Sequence, residues 1–282
     1  MTDRPPPPPG LPRFLIIGAM KAGTTTLYGD LQKQGGAALP PEKEPEDLLH
    51  AAVLSEAGTE AYRRKFAGLA GLPGEASTAY AKRPDHAAAG HARALLGPDL
   101  KLIYLLRDPI ERMISHYKHE VGMGRETRDL NTALRQQSAY RNYSRYSWQL
   151  APWQAHYGSS QILILHFEDY VADRQAGLQT VCDFLGLGPV AHAPSGVSNA
   201  SGGKAVARRG SLAHRFSRSR FYQYRLKPYL GTALRDRLKG AVSEKVSLPE
   251  TRLDPALRAE LETFFAGDPL AARALRRRRA PA

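Results

Sequence analysis

The stretch Phe14-Leu-Ile-Ile-Gly-Ala-Met-Lys-Ala-Gly-Thr-Thr-Thr-Leu-Tyr28 constrains this chain more than any other. Four apolar residues, Phe14 to Ile17, have the length of a buried strand. Glycines at Gly18 and Gly23 mark a turn, and the hydroxyl run Thr24 to Thr26 leads into an apolar-periodic segment with Leu27 and Leu31. A strand that passes through a glycine turn into a helix makes an anion site. The first N–H groups of the helix have no partner within it, and the helix dipole favours negative charge there.

The position of the lysine narrows the choice of anion. A nucleotide-hydrolysing loop reads G-x-x-x-x-G-K-[ST], with Lys directly after the second glycine. Here Thr24 stands at that place and Lys21 lies inside the loop. An ordinary strand–turn–helix with a solvated lysine is the alternative that one loop leaves open, so a second motif is needed.

With 282 residues the chain can bury a substantial core, and its 42% apolar and 24% charged content is that of a globular protein. The net charge of +13 asks for a polyanionic partner, an acidic substrate or a membrane surface, without choosing among them. Cys182 is the only cysteine, which excludes an intrachain disulfide. No apolar run approaches the roughly 20 residues of a membrane span, and Met1 to Gly10 is a proline tract rather than a signal peptide. These features lead us to expect a cytoplasmic protein. Residues 1–12 read as a flexible leader, and the basic stretch 271–282, with Arg276 to Arg279, reads as a disordered tail.

Further strands are expected at 100–106 and 161–166, and helices at 14–34 (after the first strand), 87–96, 146–157 and 174–185. Thr59 is the expected cap of a helix running to about 67. Residues 125–145 read as partly irregular, 186–204 as a ligand loop or lid, 208–227 as a basic and aromatic segment, and 231–240 and 254–265 as short helices. Buried-looking strands separated by helices imply parallel βαβ units and an α/β fold.

The second motif is Arg107-Asp-Pro-Ile-Glu-Arg112-Met-Ile-Ser115-His-Tyr117, directly after the strand Leu100 to Leu106. Arg107 at a strand end can fork two N–H donors onto a phosphate, and Ser115 follows about two helical turns later. Taken alone, the motif is better explained by Arg107-Asp108 as a local ion pair and Ser115 as a surface hydroxyl. Taken with the first loop, R-D-P-x-E-R-x-x-S-x-Y resembles the 3′-phosphate motif of sulfotransferases that use 3′-phosphoadenosine 5′-phosphosulfate (PAPS). The chain is similar to the heparan-sulfate-type and bacterial glycan-type branch of that superfamily over roughly residues 14–205.

The resemblance implies a central parallel β-sheet flanked by helices, the P-loop NTPase-like sulfotransferase fold, over residues 13–270. It implies that Lys21, Ala22, Gly23, Thr24, Thr25 and Thr26 hold the 5′-phosphosulfate and that Arg107 and Ser115 hold the 3′-phosphate. Lys43-Glu44-Pro45 resembles the branch's K-E-P element and implies Glu44 as general base, although Glu46-Asp47-Leu48-Leu49 replaces the usual aromatics. Gly74-Glu-Ala-Ser-Thr-Ala-Tyr80 resembles the segment lining the acceptor cleft and implies Ser77 and Tyr80 as substrate-binding residues. Asn199 to Lys204 sits where the family closes a loop over the nucleotide, which implies Lys204, with Arg208 and Arg209 as rivals.

The chemistry implied is in-line sulfonyl transfer from PAPS, with Lys21 and Glu44 catalytic and no metal. The acceptor is a hydroxyl or amine of a glycan or small molecule; neither a nucleic-acid partner nor a membrane span is expected. A kinase with a degenerate P-loop and a non-catalytic binder of nucleic acid or other polyanions are the competing readings. His50, His116 and His119 are rival bases. Trp148 and Trp153 suit a sugar platform or the core, and Cys182 suits the core.

Overall fold

The computed structural model describes residues 10–83, 87–190 and 251–279, together with two two-residue strands at 206–207 and 243–244. A five-stranded sheet lies at its centre. Its strands are β1 (Phe14–Gly18), β2 (Ala37–Ala38), β3 (Leu72–Ala76), β4 (Lys101–Leu106) and β5 (Ile162–His166), in the spatial order β2-β3-β1-β4-β5. Every pairing in it is parallel. The helices are α1 (Thr24–Gln34), α2 (Glu56–Arg64), α3 (Ala88–Leu96), α4 (Pro109–Gly122), α5 (Leu130–Gln136), α6 (Ser138–Asn142), α7 (Tyr146–Gln154), α8 (Phe167–Ala172), α9 (Arg174–Leu185), α10 (Pro255–Ala266) and α11 (Pro269–Arg279). An antiparallel pair, β6 (Val206–Ala207) and β7 (Ser243–Glu244), and short 3-10 turns at Asp47–Leu49, Ala51–Leu54, Thr78–Ala81 and Ser159–Gln161 are also described.

The expected α/β fold with a parallel sheet is therefore present. Parallel strands need crossovers, and a sheet covered on both faces needs strands apolar on both sides. All five residues of β1 are buried, which is why it reads as a continuous apolar run. Gly18 ends it because the Tyr104 ring lies where a side chain would go: an added Cβ would sit 2.6 Å from that ring. The chain leaves β1 toward β2 on one side and leaves β4 toward β5 on the other. Between β1 and β4 the winding direction reverses, and in open α/β sheets ligands bind outside the carboxyl ends of the strands at that point.

Several expected elements differ from those observed. The helix expected under a Thr59 cap is α2, capped by Ser55, whose side chain accepts from the Gly58 N–H. Residues 125–145 hold two short helices, α5 and α6. The stretch expected as a disordered basic tail is α11, with Asp268 accepting from the Ala271 N–H at 2.9 Å and Ala271 and Ala274 buried in the core. Arg277 pairs with Asp169 across to α8. The buried alanines, with Leu270 and Leu275 packed against the core beside them, dock an otherwise cationic helix. Residues 1–9 of the leader expected at 1–12, the segments at 208–227 and 231–240, and the loop end with Lys204, Arg208 and Arg209 lie outside the described residues, whereas Leu11, at the end of that expected leader, is buried in the core.

Candidate active site

Three adjacent strands end at the switch point, and each delivers part of the site. Beyond β1, residues 19–23 form a tight loop pinned by the Ala19 N–H to the Leu105 carbonyl at 2.9 Å. Lys21 occupies the left-handed region (φ 68), an uncommon place for a residue with a side chain. Two guanidiniums meet the carbonyls of this loop. Arg107 Nη1 donates to the Lys21 carbonyl at 3.1 Å, and Arg112 Nη1 reaches the Met20 carbonyl at 3.5 Å. Gly23 has φ 90, and an added Cβ there would lie 2.5 Å from the Phe167 ring, so glycine is required twice over. The first turn of α1 follows with no side-chain cap, while Thr24 and Thr26 are buried and Thr25 is exposed. Helix α1 is anchored far from the loop through Asp30, which accepts from Tyr170 Oη at 2.7 Å and pairs with Arg174.

Beyond β4, Arg107 lies with its guanidinium 4.9 Å from the centroid of the Phe167 ring, and its own carbonyl accepts from Tyr146 Oη at 2.7 Å. Asp108 is no ion-pair partner of the kind sequence suggested for Arg107. Its carboxylate caps α4, accepting from the N–H groups of Ile110 at 2.8 Å and Glu111 at 3.0 Å, with Pro109 in the first turn. Ser115 is half-buried on α4. Arg112, one turn earlier, is fully buried. It donates from Nε to Ser144 Oγ at 2.5 Å and from Nη2 to the Tyr140 carbonyl at 2.6 Å. Burial lowers its pKa to about 10, which leaves it charged at neutral pH. Among the described residues no carboxylate pairs with it, so two neighbouring cations face the loop from one side.

Beyond β3 the chain holds the segment that carries Glu44. The Glu44 N–H donates to the Ala76 carbonyl at 2.9 Å. Glu44 Oε2 accepts from the Thr78 N–H at 2.7 Å and from Thr78 Oγ1 at 3.2 Å. Lys43 pairs with the same carboxylate, whose side chain is 32% exposed. Thr78, the residue standing in place of the family's proline, thus supplies two donors to Glu44. A proline there would lack both.

Ser77 and Tyr80, expected to line the acceptor cleft, are instead buried, and their hydroxyls point to Glu75. Trp153 is core, its Nε1–H donating to the Tyr80 carbonyl at 3.2 Å, whereas Trp148 lies under the guanidiniums of Arg83 and Arg145. His116 is buried between the rings of Tyr140 and Tyr143, and burial, with Arg112 and Lys82 next in effect, drives its pKa down to about 2. So weak a base does not fit the role of proton acceptor. Beside the loop, a cavity of about 310 Å³ is lined by Met20, Lys82, His116, Glu120, Arg125 and Tyr143 among others. Arg112 and Phe167 are the residues that sequence reading missed. Arg112 stood inside the second motif, and its regular spacing from Arg107 was the available signal.

Residues 37–190, more than half of the chain, match the model of a sulfotransferase family. The chain belongs to the sulfotransferase family. A membrane-associated sulfotransferase, kil1, of Dictyostelium discoideum is 34% identical over 116 residues, covering 39% of this chain and 23% of that protein. The human bifunctional heparan sulfate N-deacetylase/N-sulfotransferase 2 is 25% identical over 203 residues, covering 64% of this chain and 22% of that protein. The chain therefore spans less than a quarter of the length of these curated relatives. The crystal structure of a sulfotransferase from Alicyclobacillus acidocaldarius superposes with a TM-score of 0.61 at 24% identity, covering 94% of this chain and 95% of that one, which shows a shared fold. Among the described residues no cluster of His, Cys, Asp or Glu is placed to hold a metal, and no helix is long and apolar enough to cross a membrane.

Proposed function

We propose that this sulfotransferase moves the sulfonyl group of PAPS to a hydroxyl or amine of a glycan or small-molecule acceptor, in the manner of the heparan-sulfate-type and bacterial glycan-type branch. The observation that carries the reading is the loop at 19–23, whose lysine is held in a left-handed turn while Arg107 and Arg112 take the carbonyls of two successive residues. With those carbonyls drawn toward β4 and α4, the uncapped start of α1 is left to an anion. Lys21, the backbone N–H groups from Ala22 to Thr25 and the hydroxyls of Thr24 to Thr26 receive the 5′-phosphosulfate. Arg107 and Ser115 receive the 3′-phosphate, and Lys204 is a further nucleotide-binding residue in this reading.

Transfer then follows as an in-line displacement. The acceptor oxygen or nitrogen forms a bond to sulfur as the bond from sulfur to the bridging phosphate oxygen breaks. Glu44 takes the proton that the acceptor loses. Lys21 and the fixed dipoles of the helix start meet the negative charge that grows on the leaving oxygen, where preorganised donors contribute most. The cavity beside Met20 opens next to this loop and is where we place the acceptor.

Calorimetry with adenosine 3′,5′-bisphosphate tests the donor half. Arg107→Ala is expected to weaken that nucleotide at least about tenfold while leaving an analogue without the 3′-phosphate nearly unchanged, the loss of one charge-assisted contact. Equal losses for both would remove Arg107 from the site. Turnover of PAPS against an acceptor panel, read as a mass shift, tests the other half: Glu44→Ala should keep nucleotide affinity and lose turnover. Binding of Mg-ATP in preference to the bisphosphate would overturn the reading.

A further inference from the structure

Glu75, at the end of β3, is a carboxylate with no exposed surface. Its Oε1 accepts from Tyr62 Oη at 2.5 Å and from Tyr80 Oη at 2.7 Å, and its Oε2 accepts from Ser77 Oγ at 3.3 Å. Among the described residues no Lys, Arg or His pairs with it. An uncompensated carboxylate in a core is expensive, and an apolar residue would pack there at less cost. Its presence calls for a reason.

The reason lies one bond further out. A hydroxyl has one proton, and in Ser77 and Tyr80 that proton goes to Glu75. The lone pairs are then turned toward the neighbouring loop. Ser77 Oγ accepts from the Glu46 N–H at 3.2 Å, and Tyr80 Oη accepts from the Leu48 N–H at 3.3 Å. An acceptor in place of Glu75 fixes the direction of both hydroxyls; an apolar residue would leave them free to turn. The loop so gripped has two non-glycine residues in the left-handed region, Glu44 (φ 64) and Glu46 (φ 60). Such backbone persists only where the surroundings over-determine it. Tyr62 ties α2 to the same carboxylate, and the Trp153 N–H on the Tyr80 carbonyl fixes the other end of that residue.

We infer that Glu75 is a positioning residue. Acting through the hydroxyls of Ser77 and Tyr80, it locks the backbone at residues 46 and 48 and so holds the carboxylate of Glu44 against Thr78. Its functional weight rests on the reading of Glu44 as the base; the grip on the loop does not.

Amide hydrogen exchange by NMR on the full chain tests it, because the Thr78 amide is bonded to the Glu44 carboxylate itself. Tyr80→Phe keeps the ring and removes one hydroxyl. It is expected to speed exchange at Leu48 and Thr78 at least about tenfold over the rest of the sheet, the equivalent of one lost hydrogen bond in a local opening. Glu75→Leu should do the same or more. Glu75→Gln, whose side-chain carbonyl still accepts, should restore most of the protection. Affinity for adenosine 3′,5′-bisphosphate should hold in Tyr80→Phe, since the donor loop lies beyond β1. Unchanged exchange at Thr78 in Tyr80→Phe, or exchange that rises equally throughout the sheet, would overturn the inference, even should Glu75→Leu fail to fold. If the wild type ignores the bisphosphate, the sulfotransferase reading falls, while the exchange result still decides what Glu75 does.

Discussion

The two loops that meet at the strand ends are built on different plans. The loop at 19–23 is short, continuous with β1 and α1, and shaped by glycine and by guanidiniums acting on its carbonyls. The segment around Glu44 is held by side chains from β3 and the turn after it, more than 30 residues away in sequence. The first grips through backbone and fixed charge, which suits a donor of constant shape. The second places one carboxylate through a relay of hydroxyls, and each link in such a relay can be removed singly. A comparison of this kind predicts that damage to the first loop is severe and spreads to stability, while damage to the second is graded.

Arg112→Met carries the largest expected effect. It removes a buried guanidinium that donates to Ser144, Tyr140 and Met20, and leaves those acceptors unpaired. Urea unfolding should show a loss of roughly 3 kcal/mol or more, with nucleotide affinity falling in parallel. Arg112→Lys should rescue little, since a single ammonium cannot fork to three sites. A fully stable, fully binding Arg112→Met protein would break the comparison.

A smaller effect attaches to Glu75. Burial above all raises its pKa from 4.5 to about 7; the hydrogen bonds from Tyr62, Tyr80 and Ser77 oppose the rise, and Asp47 adds to it. Tyr28 on α1 also feels this carboxylate. The folded chain thus holds this proton more tightly than the unfolded chain does. The stabilisation is complete below about pH 4.5 and is lost as pH rises through about 7, a change on the order of 3 kcal/mol. Unfolding midpoints between pH 5 and 8 should show that decline in the wild type and a flatter profile in Glu75→Gln. Equal slopes would show that the carboxylate is not held as the geometry has it.

Thr78→Val should have the smallest effect. It removes the hydroxyl contacts to Glu44 at 3.2 and 3.3 Å but keeps the backbone N–H at 2.7 Å. Denaturation should shift by about 1 kcal/mol or less, because the carboxylate is partly solvated. A loss as large as that of Arg112→Met would mean that the second loop is as brittle as the first.

Much of the frame was legible beforehand. Strands expected at 14–17, 100–106 and 161–166 are β1, β4 and β5, and the helix expected at 174–185 is α9 to the residue. These are continuous apolar runs or amphipathic repeats bounded by Gly, where local pattern and tertiary burial agree. Helix α11 was hidden because arginines crowd its sequence; Ala271, Ala272 and Ala274 are buried with Leu270 and Leu275 packed against the core, but alanine is a weak signal of burial. In the same way Ser77 and Tyr80 stood in the right motif but face Glu75, since spacing does not say toward which side of a strand end a hydroxyl turns.

By itself the sequence determined the parallel sheet, the glycine turn with its early lysine, and the arginine at the end of β4, because each depends on residues close together in the chain. Only the tertiary structure decided which partners complete them: Arg112 on the loop carbonyls, Phe167 against Gly23, and Glu75 behind the Glu44 loop. Those contacts join segments that the chain order keeps apart, and their energies depend on burial and direction, which no run of letters contains.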